Sequence, residues 1–267
     1  MIAPPTTATA AELGALYVYC VARGDDANRV LGAIGLDNRT VYTLGSEGLY
    51  AVVHDCPVAP YQSQDPIVVQ TWVVAHQNVI RQAGETMGTV LPMTFDMIVH
   101  GAPGTSASQA LQTWLQEKRE RFTRLLDKLA GKAEYGVQVL WDSQAVAALL
   151  VAQDDQLLAL QSEIKQKPKG LAHVLGQKLA KLVRTAMEQQ ADQLAQDFYR
   201  RIRHGVDEVH VDPLKKVDEP LQMLLNLSCL MPQDRTELGC ALDDIQKHPG
   251  VTVRFTGPWP PYSFVGG

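Results

Sequence analysis

Apolar residues crowd the stretch Leu16-Tyr-Val-Tyr-Cys-Val-Ala22, a run dense in β-branched and aromatic side chains that predicts a buried strand. Two further strands are expected over residues 40–44 and 49–53, with Gly45-Ser-Glu-Gly48 between them as a hairpin loop. The period then changes. Val69, Trp72, Val73, His76, Val79 and Ile80 recur every three or four positions, so a helix runs to about Gln82, with Asp65 as its N-cap and Pro66 in its first turn. Residues 89–99 return to an extended pattern in which Pro92 marks an irregular start or a sheet edge, because proline has no N–H for a ladder. Beyond the loop Gly101-Ala-Pro-Gly-Thr-Ser106 one long helix is expected, with a stripe of Leu111, Trp114, Leu115, Phe122, Leu125, Leu126 and Leu129. Its middle turn Lys118-Arg-Glu-Arg121 is charged on every side, and Gly131 ends it.

The second half follows its own order. Glu134-Tyr-Gly-Val-Gln-Val-Leu-Trp141 alternates as a strand. Asp142 and Ser143 cap a helix whose apolar positions are Val146, Leu149, Leu150, Leu157, Leu160 and Ile164. Lys167-Pro-Lys-Gly170 breaks it, and a longer helix then carries Leu171, Leu175, Leu179, Leu182, Ala186, Leu194, Phe198 and Ile202 to Gly205. Two long amphipathic helices across a short break predict an antiparallel hairpin over residues 142–204 with coiled-coil-like packing. Strands over 206–211 and 223–231, a helix over 233–247 with Pro232 before it, and a strand over 251–255 complete the chain. Once the hairpin's extra length is set aside, the order β, αα, β, β, α, β is ferredoxin-like. The expected fold class is therefore α+β in two domains. Residues 1–132 form an N-terminal α+β domain, and residues 133–267 a modified ferredoxin-like domain with the helical hairpin and a proline-aromatic tail over 256–267.

Composition narrows the function classes. The 267 residues, 46% hydrophobic and 20% charged, suffice to bury two cores. A net charge of −5 gives no electrostatic reason to expect nucleic acid or a lipid membrane as partner. Cys20, Cys56, Cys229 and Cys240 form no CxxC and read as buried free thiols of a reducing cytosol. Residues 1–11 read as a loose arm without the basic start and apolar segment of a secretory signal, and no apolar run reaches the length of a membrane span. The expected location is cytoplasmic.

The polar residues form no recognisable reactive set. Arg203-His-Gly-Val-Asp-Glu-Val-His-Val-Asp212 holds the densest collection of metal-type ligands. Alternation there places Val209 and Val211 toward a core and Glu208, His210 and Asp212 toward water, and no second cluster at ligand spacing supports a metal. Asp25 with Asp26, Asp154 with Asp155, and Asp243 with Asp244 sit in loops or on polar helix faces, as solvated charge does. The loop at 101–106 lacks the lysine of a phosphate loop and reads as a helix cap. No serine lies in a GxSxG context, and no cysteine has a basic neighbour to lower its pKa. No cofactor and no catalysis are expected.

The most distinctive segment is Phe255-Thr-Gly-Pro-Trp-Pro-Pro-Tyr-Ser-Phe264. Its prolines exclude it from the middle of a sheet or helix, yet it carries large aromatic side chains that favour burial. It reads either as a clamp that pins the last strand to its own domain or as a docking surface, with Trp259, Pro260, Tyr262 and Phe264 the candidate partner contacts.

This tail resembles the C-terminal signature of the gas vesicle proteins GvpF and GvpL, and the resemblance extends over almost the whole chain. Leu16-Tyr-Val-Tyr looks like that family's opening strand and Gly48-Leu-Tyr-Ala-Val-Val like its third. His76 in Ala-His-Gln-Asn-Val-Ile, followed by Val90-Leu-Pro-Met-Thr-Phe95, is similar to its helix and VLPxxF segment. Glu134-Tyr-Gly-Val-Gln-Val resembles the strand that opens its second domain, and Lys247-His-Pro-Gly-Val-Thr-Val-Arg-Phe-Thr-Gly-Pro-Trp259 joins helix, turn and tail in family order. Compact length leans towards GvpF. Two segments depart from the pattern: Met93-Thr-Phe-Asp96, where many members carry Arg and Gly, and the strand Asn226-Leu-Ser-Cys-Leu-Met231.

The resemblance implies an accessory or minor structural component of gas vesicles, without catalysis. It implies as partner the hydrophobic shell protein that forms the wall, and beside it other accessory gas vesicle proteins. A soluble protein that covers an aggregation-prone β-rich subunit before assembly has a clear physical use. Two alternatives stay open at this stage. One is a ferredoxin-like small-molecule-binding or catalytic protein with an interdomain pocket that uses His54, His76 or His210. The other is a scaffolding adaptor built on the hairpin alone.

Overall fold

Strand β1 (Ala15–Arg23) takes the long apolar run, and each residue from Ala15 to Ala22 is buried. The computed structural model describes residues 14–24 and 28–266, so the N-terminal arm and the pair Asp25 and Asp26 lie outside the described residues. β1 is central in a six-stranded sheet. On one side it pairs antiparallel with β4 (Leu49–Cys56), which pairs with β3 (Val41–Ser46), and β3 pairs with the short β2 (Val30–Gly32). On the other side the single strand expected over 89–99 is two: β5 (Val90–Pro92) lies beside Cys20, Val21 and Ala22, and β6 (Ile98–His100) beside Ala15, Leu16 and Tyr17. Between them Asp96 turns the chain at φ 68°.

The pairing of β1 with β4 slips between Val18 and Cys20. An extra residue shifts the alternation of a strand. Tyr17, Tyr19, Cys20 and Ala22 consequently all join one core cluster, with Val79, Ile80 and Ala83 of helix α1 (Pro66–Met87). The Asp65 carboxylate caps α1 by accepting the Ile67 N–H at 2.8 Å, with Pro66 in the first turn. The long helix expected after the loop is instead two helices, α2 (Ala107–Glu117) and α3 (Arg119–Leu129), that meet at Lys118 with φ −95° and ψ 2°. Residues 116–120 are all exposed, so no apolar contact holds that turn straight. The break lets Leu111 and Leu115 of α2 and Phe122, Leu126 and Leu129 of α3 all be buried. Ser106 and Gln109 form the reciprocal capping box that starts α2.

Tertiary contacts divide the chain into two compact units, residues 1–133 with 259–267, and residues 134–258. The second unit is built on a four-stranded sheet in the order β10-β7-β9-β8, formed by β7 (Lys132–Asp142), β8 (Glu208–Val211), β9 (Leu221–Pro232) and β10 (Val251–Trp259). The first helix of the expected hairpin is two, α4 (Ser143–Gln153) and α5 (Asp155–Gln166). The Asp142 carboxylate caps α4, and that of Asp154 accepts the Gln156 and Leu157 N–H groups and starts a new helix. Both pack on the 36-residue α6 (Lys169–His204). Only Phe198 and Ile202 of α6 are buried, near the end that meets β9 and α7 (Glu237–Gln246). Leu171, Val174 and Leu182 remain exposed along its outer length.

β10 continues past the expected end at Phe255 and takes in Pro258, which an edge strand tolerates because one side has no ladder to donate to. Gly257 explains the glycine of the tail motif. Its φ is 120°, and a Cβ there would lie 2.8 Å from the Glu134 carbonyl oxygen and 3.0 Å from the Tyr135 ring. We expect Gly257→Ala to cost about 2 kcal/mol, read as a fall in the urea midpoint at constant m. An unchanged midpoint would show that β10 takes up the side chain by shifting.

Candidate functional site

The histidines that the sequence offered as reactive groups are committed to the core of the first unit. His54 and His76 are 0% and 1% exposed. β1 presents Tyr17 and Tyr19, and each tyrosine meets one histidine. The Tyr17 hydroxyl lies 2.9 Å from His76 Nδ1, while His76 Nε2 lies 3.2 Å from the Met93 carbonyl oxygen. That carbonyl can only accept, so Nε2 carries the proton and Tyr17 donates to Nδ1. The Tyr17 oxygen in turn accepts the Asp96 N–H at 3.0 Å. The second chain is similar: the Leu36 N–H donates to Tyr19 Oη at 2.9 Å, the Tyr19 hydroxyl meets His54 Nδ1 at 2.8 Å, and His54 Nε2 meets the Tyr61 hydroxyl at 3.0 Å.

The five rings of Tyr17, Tyr19, His54, His76 and Tyr61 also contact one another, with Tyr17 and His54 stacked at 5.1 Å and 15°. Burial lowers His76 to about 4, against the raising effect of the Met93 carbonyl. Burial, assisted by the charge of Arg39, lowers His54 to about 3. Burial likewise raises Tyr17 and Tyr19. All four groups are therefore neutral near pH 7, with both nitrogens of each histidine engaged. This arrangement rigidifies a core and offers no proton to a substrate. Tyr17 and Tyr19, two apart in a strand and so on one face, were the legible signal for it. Sequence reasoning singled out His54 and His76 but not the tyrosines that hold them.

His210 is exposed on β8, with Nε2 3.7 Å from an Asp212 carboxylate oxygen. The expected alternation fails at Val211, which is exposed rather than turned to the core, because β8 is an edge strand at the end of its sheet. Asp212 accepts the Ser228 hydroxyl at 2.8 Å. Among the described residues no three His, Cys, Asp or Glu side chains gather as a metal site. Cys20, Cys56 and Cys229 are buried, and burial raises the thiols of Cys56 and Cys229 to about 12; Cys240 is exposed, where the sequence reading placed it inside. Asp244 bonds Lys247 at 2.7 Å on the surface.

The tail is divided in its surroundings. Trp259 is 53% exposed and Pro260 is half-buried. Pro261 and Phe264 are buried, and Tyr262 packs against the core cluster of the first unit. A 3-10 turn over Tyr262–Phe264 brings the Val265 carbonyl to Arg121, whose Nη2 donates to it at 3.1 Å. Chain order alone puts these residues with the second domain, beside the strand they follow. They group instead with the first unit, where Tyr262 packs against the core cluster.

A family model for "Gas vesicle synthesis protein GvpL/GvpF" matches residues 15–266. The chain is 33% identical to gas vesicle protein L1 of Halobacterium salinarum over 256 residues, 93% of this chain and 89% of that one. It is 30% identical to gas vesicle protein F of a Streptomyces species over 253 residues, 93% of this chain and 98% of that one. Its fold is similar to the crystal structure of GvpF from Anabaena, with a TM-score of 0.73 over 95% of this chain and 98% of that chain at 20% identity. Relatives under both names match nearly end to end, so the likenesses do not choose between F and L. No described helix is long and apolar enough to cross a membrane. With its family match running from the first described strand to the tail, and relatives at 30% identity or more over most of its length, the chain belongs to the gas vesicle GvpL/GvpF family.

Proposed function

We propose that this protein is a non-enzymatic gas vesicle assembly or minor structural component that binds the hydrophobic shell subunit while the vesicle forms, working in the cytoplasm and at the vesicle. Family membership supports the setting. The observation that carries the binding reading is the position of β10 at the end of its sheet: the Gln246 side chain bonds the strand's backbone at Val251 and Val253, and beyond them β10 presents Phe255, 47% exposed, before running on to Trp259. An unpaired strand edge is a template for a strand of another chain, and an exposed aromatic side chain gives the added contact. A β-rich, apolar subunit is the kind of partner that such an edge holds. Phe255 is kept in place by stacking on Tyr135 at 5.3 Å and 6°. Of the four tail residues first considered, Trp259 and Pro260 are available as contacts, whereas Tyr262 and Phe264 anchor the tail. The sheet order, in which the opening strand β7 sits between the last strand β10 and β9, supports a modified ferredoxin-like reading of the second unit.

The reading of a small-molecule or catalytic protein built on His54, His76 and His210 draws little support, because two of those histidines are sealed and bonded and the third is solvated on an edge. The test is capture of the purified shell subunit by the full chain. The native protein is expected to retain it, and Phe255→Ser with Trp259→Ser to lower retention about tenfold, as loss of hot-spot aromatics does. No retention by the native protein ends the reading; retention unchanged in the double variant moves the contact away from β10.

A further inference from the structure

β9 is an apolar strand interrupted by Asn226 and Ser228, 7% and 8% exposed. Two positions apart, they share a face of the sheet. Gln138 of β7 joins them there, its Nε2 donating to Asn226 Oδ1 at 3.3 Å. Buried polar side chains are tolerated only when bonded, and the bonds made here fix a segment above the sheet. Asn226 Nδ2 donates to the Pro213 carbonyl at 2.8 Å, Ser228 Oγ donates to the Asp212 carboxylate at 2.8 Å, and the Asp212 N–H donates to the Asn226 carbonyl at 2.9 Å. Residues 212–215 thus stand as a wall along a floor of Gly136, Gln138 and Thr256. Gly136 leaves that floor bare, since a Cβ would lie 2.6 Å from Thr256 Oγ1. Floor and wall enclose a groove of about 470 Å³ that lies wholly within the second unit.

The charge in this groove is unbalanced. Arg254 and Lys215 both line it, and neither has an ion pair among the described residues. The one acid of the lining, Asp212, is already engaged by Ser228 and lies near His210. A groove of this volume is on the order of 10 Å across, about one Debye length, so both cations act on any anion inside it. A metal cation is disfavoured by the same charges, and an apolar ligand would strip water from the amides and hydroxyls without replacing their bonds. The guanidinium fork suits a carboxylate or phosphate, and the neutral donors suit hydroxyl and carbonyl oxygens.

We propose that this groove binds a small organic anion, held through a carboxylate or phosphate group by Arg254 and Lys215. Isothermal titration of the full chain at low ionic strength with citrate, and separately with inorganic pyrophosphate, distinguishes the two oxyanions. Saturable binding of at least one is expected, weakened about tenfold by Arg254→Ala and further when Lys215→Ala is added, and weakened by added chloride. Both side chains are exposed, so the variants should melt with the native protein. The proposal is overturned if neither anion saturates, or if the double variant binds as tightly as the native protein. It is equally overturned if both anions fail while an acidic peptide binds, which would make the groove a protein contact.

Discussion

Acidification from pH 7 to pH 4 is expected to remove on the order of 6 kcal/mol of stability, about 3 from each of two buried histidines, as their pKa values convert. The sign follows from which state binds protons. In the unfolded chain both histidines protonate near pH 6.5, whereas in the fold His76 waits until about 4 and His54 until about 3. Above 6.5 both states hold neutral histidine and the contribution is complete. Between 6.5 and about 4 the unfolded chain takes up protons that the fold refuses, so stability falls with pH; below about 3 no more is lost. The structural cost is specific. A second N–H on His76 or His54 would face a tyrosine hydroxyl that already donates to that nitrogen, so the hydroxyl would have to turn away inside a closed ring cluster. Urea midpoints measured at half-unit pH intervals test this. The expected slope is steepest between pH 6 and 4.5, and a flat profile there would show that the histidines ionise without disturbing the core.

Truncation of Phe264 to alanine is expected to cost about 3–5 kcal/mol, the usual range for a buried phenylalanine. It should act on the first unit, because the tail packs there. Tyr262 is held by the core cluster and Val265 by Arg121, but Phe264 is the most fully buried aromatic ring of the turn. With that ring gone, the prolines retain the local shape of the tail but not its attachment. Amide exchange of residues 259–266 should accelerate together with the fall in midpoint. If the midpoint falls without faster exchange in the tail, Phe264 supports the core without clamping the chain end. If neither changes, the tail is not a clamp. Arg121→Ala, which removes one part-buried hydrogen bond to the turn, serves as the mild control at about 1 kcal/mol.

What the chain revealed by itself was whatever depends on neighbours in sequence. Asp65, Ser106 and Asp142 were readable as caps because a cap bonds N–H groups two or three residues away. The buried strand at Leu16 and the hairpin that joins β3 to β4 were readable from side-chain type and period, and the proline-aromatic tail was distinctive enough to indicate the family. Interruptions of a regular pattern were read less well. The break at Lys118 and the new start at Asp154 sit within helical periodicity, and only the burial of stripes on either side required the chain to bend there. The pairing of Tyr17 with His76, 59 residues apart, the joining of Gln138 to Asn226 across 88, and the return of Tyr262 to the first unit were decided by tertiary structure alone. Local propensity acts over one turn or one strand, whereas the burial of a ring or the bonding of a buried amide is decided by whichever distant surface closes over it.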